Sequence, residues 1–300
     1  MIKLENVSKS FQDKKVLNKV NVVIPDNCIY GLIGANGSGK TTLLRLLSGI
    51  LKADEGKILI DDQEVYENVE VKTKILLISD EPHYFNHATM KDMKSFYKTF
   101  YKNFDDDCYQ KYLNIFALDE KRLIRNFSKG MKRQAMICIA LAIGPRYLFL
   151  DEAFDGLDPI MRLTFKQAIA QTLSEKAMTV IISSHNLREL EDICDYFGIV
   201  EDKQIIASGV IEDEKNKIHK IQLAFKQEMK PQAFEGLELL SIQIHSRVVN
   251  LVVKGEIAMI DEYLNQLQPV MKEYLNVNLE ELFIYEMLRK GYGVYEKNND

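Results

Sequence analysis

The sequence has little of what marks a membrane-spanning, secreted or nucleic-acid-binding protein. It lacks the long uncharged apolar run that a transmembrane helix needs. Its opening, residues 1–5, does not begin a signal peptide, because no apolar core follows a basic start. Its 39 Lys and Arg against 44 Asp and Glu give a net charge of −5, whereas nucleic-acid binding usually requires a basic patch. We therefore expect a cytoplasmic protein with no nucleic-acid partner.

Cysteine is also scarce, and its placement argues against two kinds of site. The four cysteines lie far apart and have neither the spacing of a zinc site nor that of a disulfide framework. No internal repeat is present. What remains is an ordinary globular composition, 46% hydrophobic and 28% charged over 300 residues, which is enough for one large domain or two smaller ones.

The most informative stretch is a glycine-rich loop that fits the phosphate-binding pattern G-x-x-x-x-G-K-[ST]. A short apolar strand, 28–33, precedes it and a helix, 42–48, follows it. Backbone N–H groups and the positive end of a helix dipole therefore meet at one point, where a triphosphate fits. The alternative is a chance match in a glycine-rich turn, which these flanks disfavour. The candidate nucleotide ligands are Gly34, Ala35, Asn36, Gly37, Ser38, Gly39, Lys40, Thr41 and Thr42.

Two side chains of this phosphate loop have specific roles in the pattern. Lys40 is expected to reach the β- and γ-phosphates of the nucleotide. The Thr41 hydroxyl is expected to hold Mg²⁺. The loop therefore predicts a nucleoside triphosphate and Mg²⁺ as ligands.

Acidic residues and a histidine follow two further strands. The apolar strand 147–152 ends in Asp151 and Glu152, and a buried parallel strand delivers such acids to the edge where α/β sheets bind ligands. Asp151 is expected to hold Mg²⁺ through water, and Glu152 to orient and polarise an attacking water. The strand 179–184 ends before His185, which is placed to contact the γ-phosphate.

Three other residues have both a structural and a functional interpretation. Ser128 and Gly130 come directly before an apolar helix, which fits a second anion site or, more commonly, a simple N-cap serine. Phe11 lies in a loop of the first predicted sheet. It is either a rim aromatic or a stacking surface for an adenine ring.

The remaining pattern predicts the domain organisation. Short strands are predicted in residues 2–24, helices dominate 83–144, and strands alternate with helices up to about residue 207. The charged stretch 209–220 has the composition of a linker. Beyond it, two strands (221–225 and 248–253) and two helices (257–267 and 279–290) predict a small α+β domain with no catalytic constellation.

Together these motifs resemble the ATP-binding subunits of ABC transporters over residues 1–210. The resemblance rests on the phosphate loop, on Ser128-Lys129-Gly130-Met131 in place of the LSGGQ-like signature, on the acids 151 and 152, on a D-loop ending at Asp158, and on His185. It implies an α/β P-loop NTPase fold with an antiparallel β subdomain and a helical insert at about 84–145. A small C-terminal α+β accessory domain at 211–300 follows. The SKGM form and the stretch 278–283 are similar to ABC-2 type exporters of Gram-positive bacteria.

The resemblance also implies how such a subunit works. Each ATP lies between the phosphate loop of one subunit and the signature of the other in a head-to-tail dimer, so that Ser128 and Gly130 act in trans. Asp158 of the D-loop also contacts the nucleotide. The γ-phosphate stabilises the closed dimer by contacts that ADP cannot make. The expected partners are a second ATP-binding subunit, most simply an identical one, and an integral membrane permease. The chain then works at the inner face of the cell membrane.

The sequence departs from the family pattern at three positions. Asp80 stands where the family has glutamine; its oxygens suit Mg²⁺, but its charge would repel phosphate. Ala153 replaces a proline and alters turn stiffness, and Phe11 replaces a tyrosine and leaves stacking intact. Because Glu152 and His185 are both present, we expect ATP hydrolysis as well as binding.

Two other classes of function compete with an exporter ATPase. One is an ABC-type ATP switch that acts on a soluble partner, and the other is a regulatory protein whose C-terminal domain carries the function. Relatives of the first kind carry two ATPase cassettes or a long coiled-coil insertion, whereas this chain has one phosphate loop and no sustained heptads. The exporter interpretation is therefore preferred. Substrate choice belongs to the membrane subunit rather than to this chain.

Overall fold

A computed structural model describes residues 1–289 of the chain, with side chains up to Tyr285. The chain divides into two compact units, Met1–Ser208 and Gly209–Asp300. Within the described residues, no helix is both long and apolar enough to cross a membrane. The last residue of the final predicted helix, residue 290, and residues 291–300 of the predicted C-terminal domain lie outside the described residues.

The first unit alternates strands and helices along most of its length. Its elements in chain order are β1 (Ile2–Phe11), β2 (Lys14–Ile24), β3 (Ile29–Ile33), α1 (Lys40–Leu47), β4 (Glu55–Ile60), β5 (Gln63–Glu64), α2 (Val69–Lys72), β6 (Ile75–Ile78), α3 (Met90–Phe100), α4 (Asp106–Ile115), a 3₁₀ turn (Ile124–Asn126), α5 (Lys129–Ile143), β7 (Tyr147–Asp151), α6 (Pro159–Glu175), β8 (Thr179–Ser184), α7 (Leu187–Leu190), β9 (Tyr196–Glu201) and β10 (Gln204–Val210).

A six-stranded sheet in the order β10-β9-β3-β8-β7-β6 forms the centre of this unit. The strands β9, β3, β8, β7 and β6 are parallel to one another. Every residue of β3, β7 and β8 is buried, which explains why these strands are continuous apolar runs rather than alternating patterns. Because parallel strands all end at the same edge, the segments that follow them converge there.

A second, antiparallel sheet in the order β2-β1-β4-β5 lies beside the phosphate loop. Its inward residues share one core with α1 and the central sheet, including Leu17, Leu44 and Phe149. At Gly39 the phosphate loop comes close to β2, because a Cβ added there would lie 2.9 Å from the Leu17 side chain. Gly39 also has φ +112°, a left-handed conformation that glycine adopts without a steric penalty.

The helical segment after β6 begins with well-defined caps. The Thr89 side chain accepts a hydrogen bond from the Asp92 N–H, and Asp92 in turn accepts from the Thr89 N–H, which forms a capping box for α3. Asp105 caps α4 by accepting from the Cys108 N–H. In contrast, α5 is buried at every residue from Arg133 to Ile143. It therefore packs inside the unit and is not a surface helix of the insert.

The second unit is a small α+β structure. Its elements are α8 (Ile211–Lys215), β11 (Ile218–Ala224), a 3₁₀ turn (Pro231–Phe234), β12 (Glu238–His245), β13 (Val248–Lys254), α9 (Ile257–Gln266), β14 (Met271–Leu275) and α10 (Leu279–Arg289). The strands form one antiparallel sheet in the order β12-β13-β11-β14. Its core contains Ile221, Phe234, Leu251 and Leu264.

Two predictions for this region were wrong. The stretch 209–220 is not a linker: β10 continues to Val210, α8 follows, and β11 begins at Ile218. Its acids, Glu212, Asp213 and Glu214, lie in the first turn of α8, where the helix dipole favours negative charge. The sequence also predicted two strands where the structure has four. The missed strands, β12 and β14, are half-exposed edge strands with many polar residues, so they lack a strong apolar signal.

Candidate functional site

Four of the predicted motifs meet at one edge of the central sheet. The phosphate loop follows β3, Asp80 follows β6, Asp151 and Glu152 stand at the end of β7, and His185 follows β8. These strands are consecutive neighbours in the order β3-β8-β7-β6. The sheet therefore brings four segments that are distant in the sequence to the same edge.

The phosphate loop has the features that a bound phosphate requires. Ala35, Asn36 and Gly37 are exposed, and the loop leads into α1, whose first residues are Lys40 and Thr41. The Ser38 hydroxyl oxygen is buried and has no hydrogen-bond partner within the described part of the chain. A buried hydroxyl without a partner is costly, and a phosphate oxygen would satisfy it. The residues present therefore fit an anionic ligand.

Lys40 is directed into this loop and is almost fully buried. Its ammonium group donates to the main-chain oxygens of Gly34, at 2.7 Å, and Ala35, at 3.2 Å. The same group lies 3.5 Å from Oε1 of Glu152. Lys40 therefore joins the loop after β3 to the acid after β7, and its charge is available at their junction.

Ser183 fixes both acids at the end of β7. Its hydroxyl donates to Oδ1 of Asp151 at 2.6 Å and accepts from the Glu152 N–H at 3.0 Å. Ser183 is fully buried and stands opposite Asp151 in the pairing of β7 with β8. Glu152 itself has φ +46°, which is uncommon for a residue with a side chain. This conformation turns Glu152 away from the direction of the strand.

The Glu152 carboxylate lies between a lysine and a histidine. Its Oε2 is 2.9 Å from Nδ1 of His185, while its Oε1 faces Lys40 at 3.5 Å. The Glu152 side chain is 18% exposed and that of His185 is 53% exposed. A carboxylate that is partly open to solvent and held on two sides can receive a proton from a water molecule.

Asp80 has a partner that the sequence analysis did not predict. Its Oδ1 accepts a hydrogen bond from Arg133 at 2.9 Å, and the Arg133 side chain is only 2% exposed. Burial lowers the pKa of the Arg133 guanidinium below its ordinary value, and the charge of Asp80 opposes that change. The acid in place of glutamine is therefore one half of an ion pair.

The signature segment and the D-loop form a second cluster. The Ser128 hydroxyl caps α5 by accepting from the Met131 N–H at 3.2 Å. Gly130 packs so closely that an added Cβ would lie 2.7 Å from the Gly156 oxygen. Asp158 caps α6 by accepting from the Met161 N–H at 2.9 Å. Ser128 and Asp158 thus act as helix caps and Gly130 as a packing residue within this chain, and these contacts lie outside the phosphate loop.

Phe11 ends β1 at the turn that leads into β2, and 44% of its surface is exposed. The Lys9 ammonium lies 5.7 Å from the centre of its ring. The ring is therefore a rim aromatic with a face close to a cation, and it is accessible to a flat ligand.

The donor set suits a metal ion that is shared with phosphate. Among the residues that the structure describes, no three His, Cys, Asp or Glu side chains are arranged to hold a metal ion. Mg²⁺ is commonly bound through one or two carboxylates together with substrate phosphates and waters. Thr41 and Asp151, on adjoining segments of the site, fit that kind of coordination.

Sequence reasoning missed two residues of this site, Ser183 and Arg133. Ser183 belongs to an apolar strand, and its contact with Asp151 depends on strand pairing that the sequence does not specify. Arg133 did have a signal. It shares a helix face with Ile137, Ala140 and Leu141 at helical spacing, so a charged residue lies on the buried face of α5.

Comparisons with known proteins agree with this geometry. The profile of the ABC transporter family matches residues 17–155. An ABC transporter ATP-binding protein, YtrB of Bacillus subtilis, is 31% identical over 284 residues, which cover 95% of this chain and 97% of the relative. A lantibiotic transport ATP-binding protein, SrtF of Streptococcus pyogenes, is 33% identical over 218 residues, covering 72% of this chain and 93% of the relative.

Solved structures show the same fold. An ATP-binding subunit of an ABC transporter superposes on this chain with a TM-score of 0.66 at 24% identity, and the match covers 72% of this chain and 92% of the other. An ATP-binding cassette, solved as a dimer in a post-hydrolysis state, superposes with a TM-score of 0.64 at 19% identity, and the match covers 70% of this chain and 99% of the other. The predicted α/β P-loop NTPase fold is confirmed, as is the predicted resemblance. This chain belongs to the ATP-binding subunits of ABC transporters, a family of ATPases.

Proposed function

We propose that this chain binds ATP at the phosphate loop and hydrolyses it to power export through separate membrane subunits. The observation that carries the proposal is the Glu152 carboxylate, held between Lys40 at 3.5 Å and His185 at 2.9 Å. In this proposal, Glu152 is the base, Lys40 the cation and His185 the contact to the γ-phosphate, all beside the phosphate loop. A water molecule that attacks a γ-phosphate needs groups of these kinds.

ATP is bound by the loop and the start of α1. Backbone N–H groups of residues 34–42, the Ser38 hydroxyl and the Lys40 ammonium face the phosphates, and the exposed ring of Phe11 stacks on the adenine. The Lys40 ammonium donates to two main-chain oxygens, which are neutral acceptors. The charged oxygens of a phosphate bind an ammonium group more strongly, so ATP can compete for Lys40.

Hydrolysis uses Glu152 as the general base. A water molecule attacks the γ-phosphorus, the bond to the ADP oxygen breaks, and Glu152 accepts the water proton as ADP and phosphate form. His185 fixes the Glu152 carboxylate from the other side and contacts the γ-phosphate. Ser183 keeps Glu152 and Asp151 in register.

Mg²⁺ would be held by the Thr41 hydroxyl and, through water, by Asp151, with Asp80 as a further candidate ligand. When bound, the ion neutralises negative charge on the phosphates. Asp80 is the weakest of these candidates, because its Oδ1 is already bonded to Arg133.

The signature residues act on the ATP of a second subunit in a head-to-tail dimer, most simply of two identical chains. Ser128 and Asp158 support this assignment because both are exposed, and the packing of Gly130 against Gly156 joins the signature to the D-loop. One motion can therefore move both segments. Residues 1–210 form the nucleotide-binding domain, and residues 211–300 form an accessory domain.

The membrane partner is an integral permease, which places the chain at the inner face of the cell membrane. Support comes from the relatives, whose names include lantibiotic and bacitracin transport ATP-binding proteins. The proposed contact with the permease is formed by α3 and α4 of the helical insert predicted at about 84–145, since α5 in that range is buried. The cargo is set by that permease.

Substitution of the general base tests the proposal. We expect Glu152→Gln to bind ATP but to hydrolyse it about 10²–10⁴-fold more slowly, since the amide cannot accept the proton. ATP and Mg²⁺ should then hold the variant as a dimer in gel filtration. The exposed Glu235→Gln is the matched control and should behave like the wild type. Turnover by Glu152→Gln near the wild-type rate would remove Glu152 from the role of base.

A further inference from the structure

Arg133 is a buried cation at the point where the signature helix meets the ends of two strands. It lies on α5, five residues after Ser128, and only 2% of its side chain is exposed. Its guanidinium donates to the main-chain oxygens of Ser79 at 2.9 Å, Asp80 at 2.7 Å and Asp151 at 3.3 Å. One side chain therefore joins α5 to the loop after β6 and to the end of β7.

The same guanidinium offsets the charge of Asp80. Its Nη2 donates to Oδ1 of Asp80 at 2.9 Å. One guanidinium group therefore contacts both the Asp80 carboxylate and the main-chain oxygen of Asp151. The next residue, Glu152, lies 3.5 Å from Lys40. Without Arg133, a third carboxylate would add its uncompensated charge to those of Asp151 and Glu152 beside the phosphate loop.

Only an arginine can make this set of contacts. Its planar fork presents donors in fixed directions, whereas the ammonium of lysine is a compact point charge. A buried cation that loses its partners is strongly destabilising. The bonds therefore hold α5, the loop after β6 and β7 in one arrangement.

We propose that Arg133 is a positioning residue that neutralises Asp80 and fixes the ends of β6 and β7 relative to the helix of the signature. The chain thereby carries a carboxylate at position 80 without repelling ATP, and Asp80 serves as the partner of Arg133 rather than as a ligand of Mg²⁺. This inference rests on the proposed function, because it assigns Arg133 a role in ATP binding.

The test measures ATP affinity of the full-length chain by displacement of a fluorescent ATP analogue, with excess chelator and with Mg²⁺. We expect Arg133→Gln to weaken binding of metal-free ATP about tenfold, the size of one charge–charge interaction at roughly 10 Å. Binding of Mg-ATP should weaken less, because it carries less negative charge. The double variant Arg133→Gln/Asp80→Gln should recover affinity, because it removes the uncompensated carboxylate.

Two further variants keep the test decisive. Asp80→Gln alone leaves Arg133 its three main-chain acceptors and removes one negative charge, so it should bind metal-free ATP about threefold or more tightly. If a melting curve shows that Arg133→Gln is unfolded, the ATP affinity of Asp80→Gln decides the test. The exposed Arg125→Gln is the matched control for loss of an arginine and should bind ATP like the wild type.

Four results would overturn the inference while leaving the proposed function intact. The first three are unchanged affinity in folded Arg133→Gln, a double variant as weak as Arg133→Gln, and Asp80→Gln that binds no more tightly than the wild type. The fourth is equal weakening of metal-free and Mg-bound ATP by Arg133→Gln, which would indicate a general structural defect. A wild-type chain that binds no ATP would instead overturn the proposed function, and this inference with it.

Discussion

At the residue scale, the geometry of the two acids depends on Ser183. Its hydroxyl bonds to the Asp151 carboxylate and to the Glu152 main chain, and it is fully buried. Glu152 is held in a left-handed conformation at φ +46°, which costs free energy unless neighbouring groups fix it. The hydrogen bond from the Glu152 N–H to Ser183 is one such constraint. The geometry of the proposed general base therefore depends on a side chain outside every recognised motif.

We predict that Ser183→Ala lowers kcat for ATP hydrolysis at least about tenfold, because Asp151 and the Glu152 N–H lose a partner worth roughly 1–3 kcal/mol. The affinity for ATP should change much less, since the phosphate loop is untouched. Steady-state hydrolysis measures the change in kcat, and an ATP-binding titration measures the change in affinity. Ser174→Ala, at an exposed position, is the control. A normal kcat in folded Ser183→Ala would contradict the assignment.

A second prediction at this scale concerns pH. The hydrogen bond from Lys129 is the main cause that holds the pKa of Asp155 below its ordinary value of 3.8. A depressed pKa in the folded state contributes stability above the ordinary value, and this contribution is lost as the pH falls through the folded value. Because both side chains are about half exposed, the pair contributes less than about 1 kcal/mol.

Lys129→Met should therefore lower the free energy of unfolding slightly at pH 7, and the difference from the wild type should be smaller at about pH 3, below the ordinary pKa of 3.8. Denaturant unfolding at both pH values measures it. Asp155→Asn should show the same loss at pH 7, since it breaks the same pair. A difference that persists unchanged at low pH would mean that Lys129 stabilises the chain in another way.

At the element scale, the start of α5 is packed against the D-loop. A Cβ on Gly130 would lie 2.7 Å from the Gly156 main-chain oxygen, and a backbone atom cannot move aside as a flexible side chain can. The Lys129–Asp155 ion pair spans the same junction. The helix that carries the signature and the turn that carries the D-loop are thus adjacent surfaces.

We predict that Gly130→Ala displaces this junction. ATP hydrolysis should fall at least about tenfold, whereas ATP binding to the isolated subunit should stay within about twofold, because overpacking costs roughly 1–3 kcal/mol locally and leaves the phosphate loop intact. ATP-induced dimer formation, measured by light scattering, should weaken in parallel. Full hydrolysis by this variant would show that the junction tolerates a methyl group and that the close contact has no functional weight.

Elements with a strong apolar signal were predictable, and others were not. The strands 147–151 and 179–184 were recognised because continuous apolar runs, 147–150 and 180–182, form most of their length, as is typical of buried parallel strands. The edge strands β12 and β14 were missed because their polar residues face solvent. The stretch 209–220 was mistaken for a linker because its acids match a linker's composition, although they occupy the first turn of α8.

At the scale of the whole molecule, the chain is expected to work only with other chains. It contains the phosphate loop and the proposed base, but its signature segment has contacts that lie outside that loop. In the proposed head-to-tail dimer, a second subunit supplies the signature to each ATP. In the proposed function, transport further involves a membrane permease as a separate subunit.

We predict that tagged Glu152→Gln, loaded with ATP and Mg²⁺, co-purifies from native membranes with a multi-span permease in stoichiometric amount. The slow hydrolysis of this variant keeps the dimer closed and the complex intact. The added substitution Lys40→Ala is the control: it removes a phosphate contact and should abolish dependence of the complex on ATP. Recovery of soluble proteins or ribosomes alone would favour an ATP switch that acts on a soluble partner.

The sequence by itself determined the chemistry of this protein. The spacing of the phosphate loop, the acids at the end of an apolar strand and His185 identified an ATP-binding subunit, because these motifs are local and depend on backbone conformations that only certain residues adopt. Tertiary structure decided how the motifs are connected. Ser183 reaches Asp151, and Arg133 reaches Asp80, only because strand pairing and helix packing bring together residues more than 30 positions apart. No local pattern encodes such contacts.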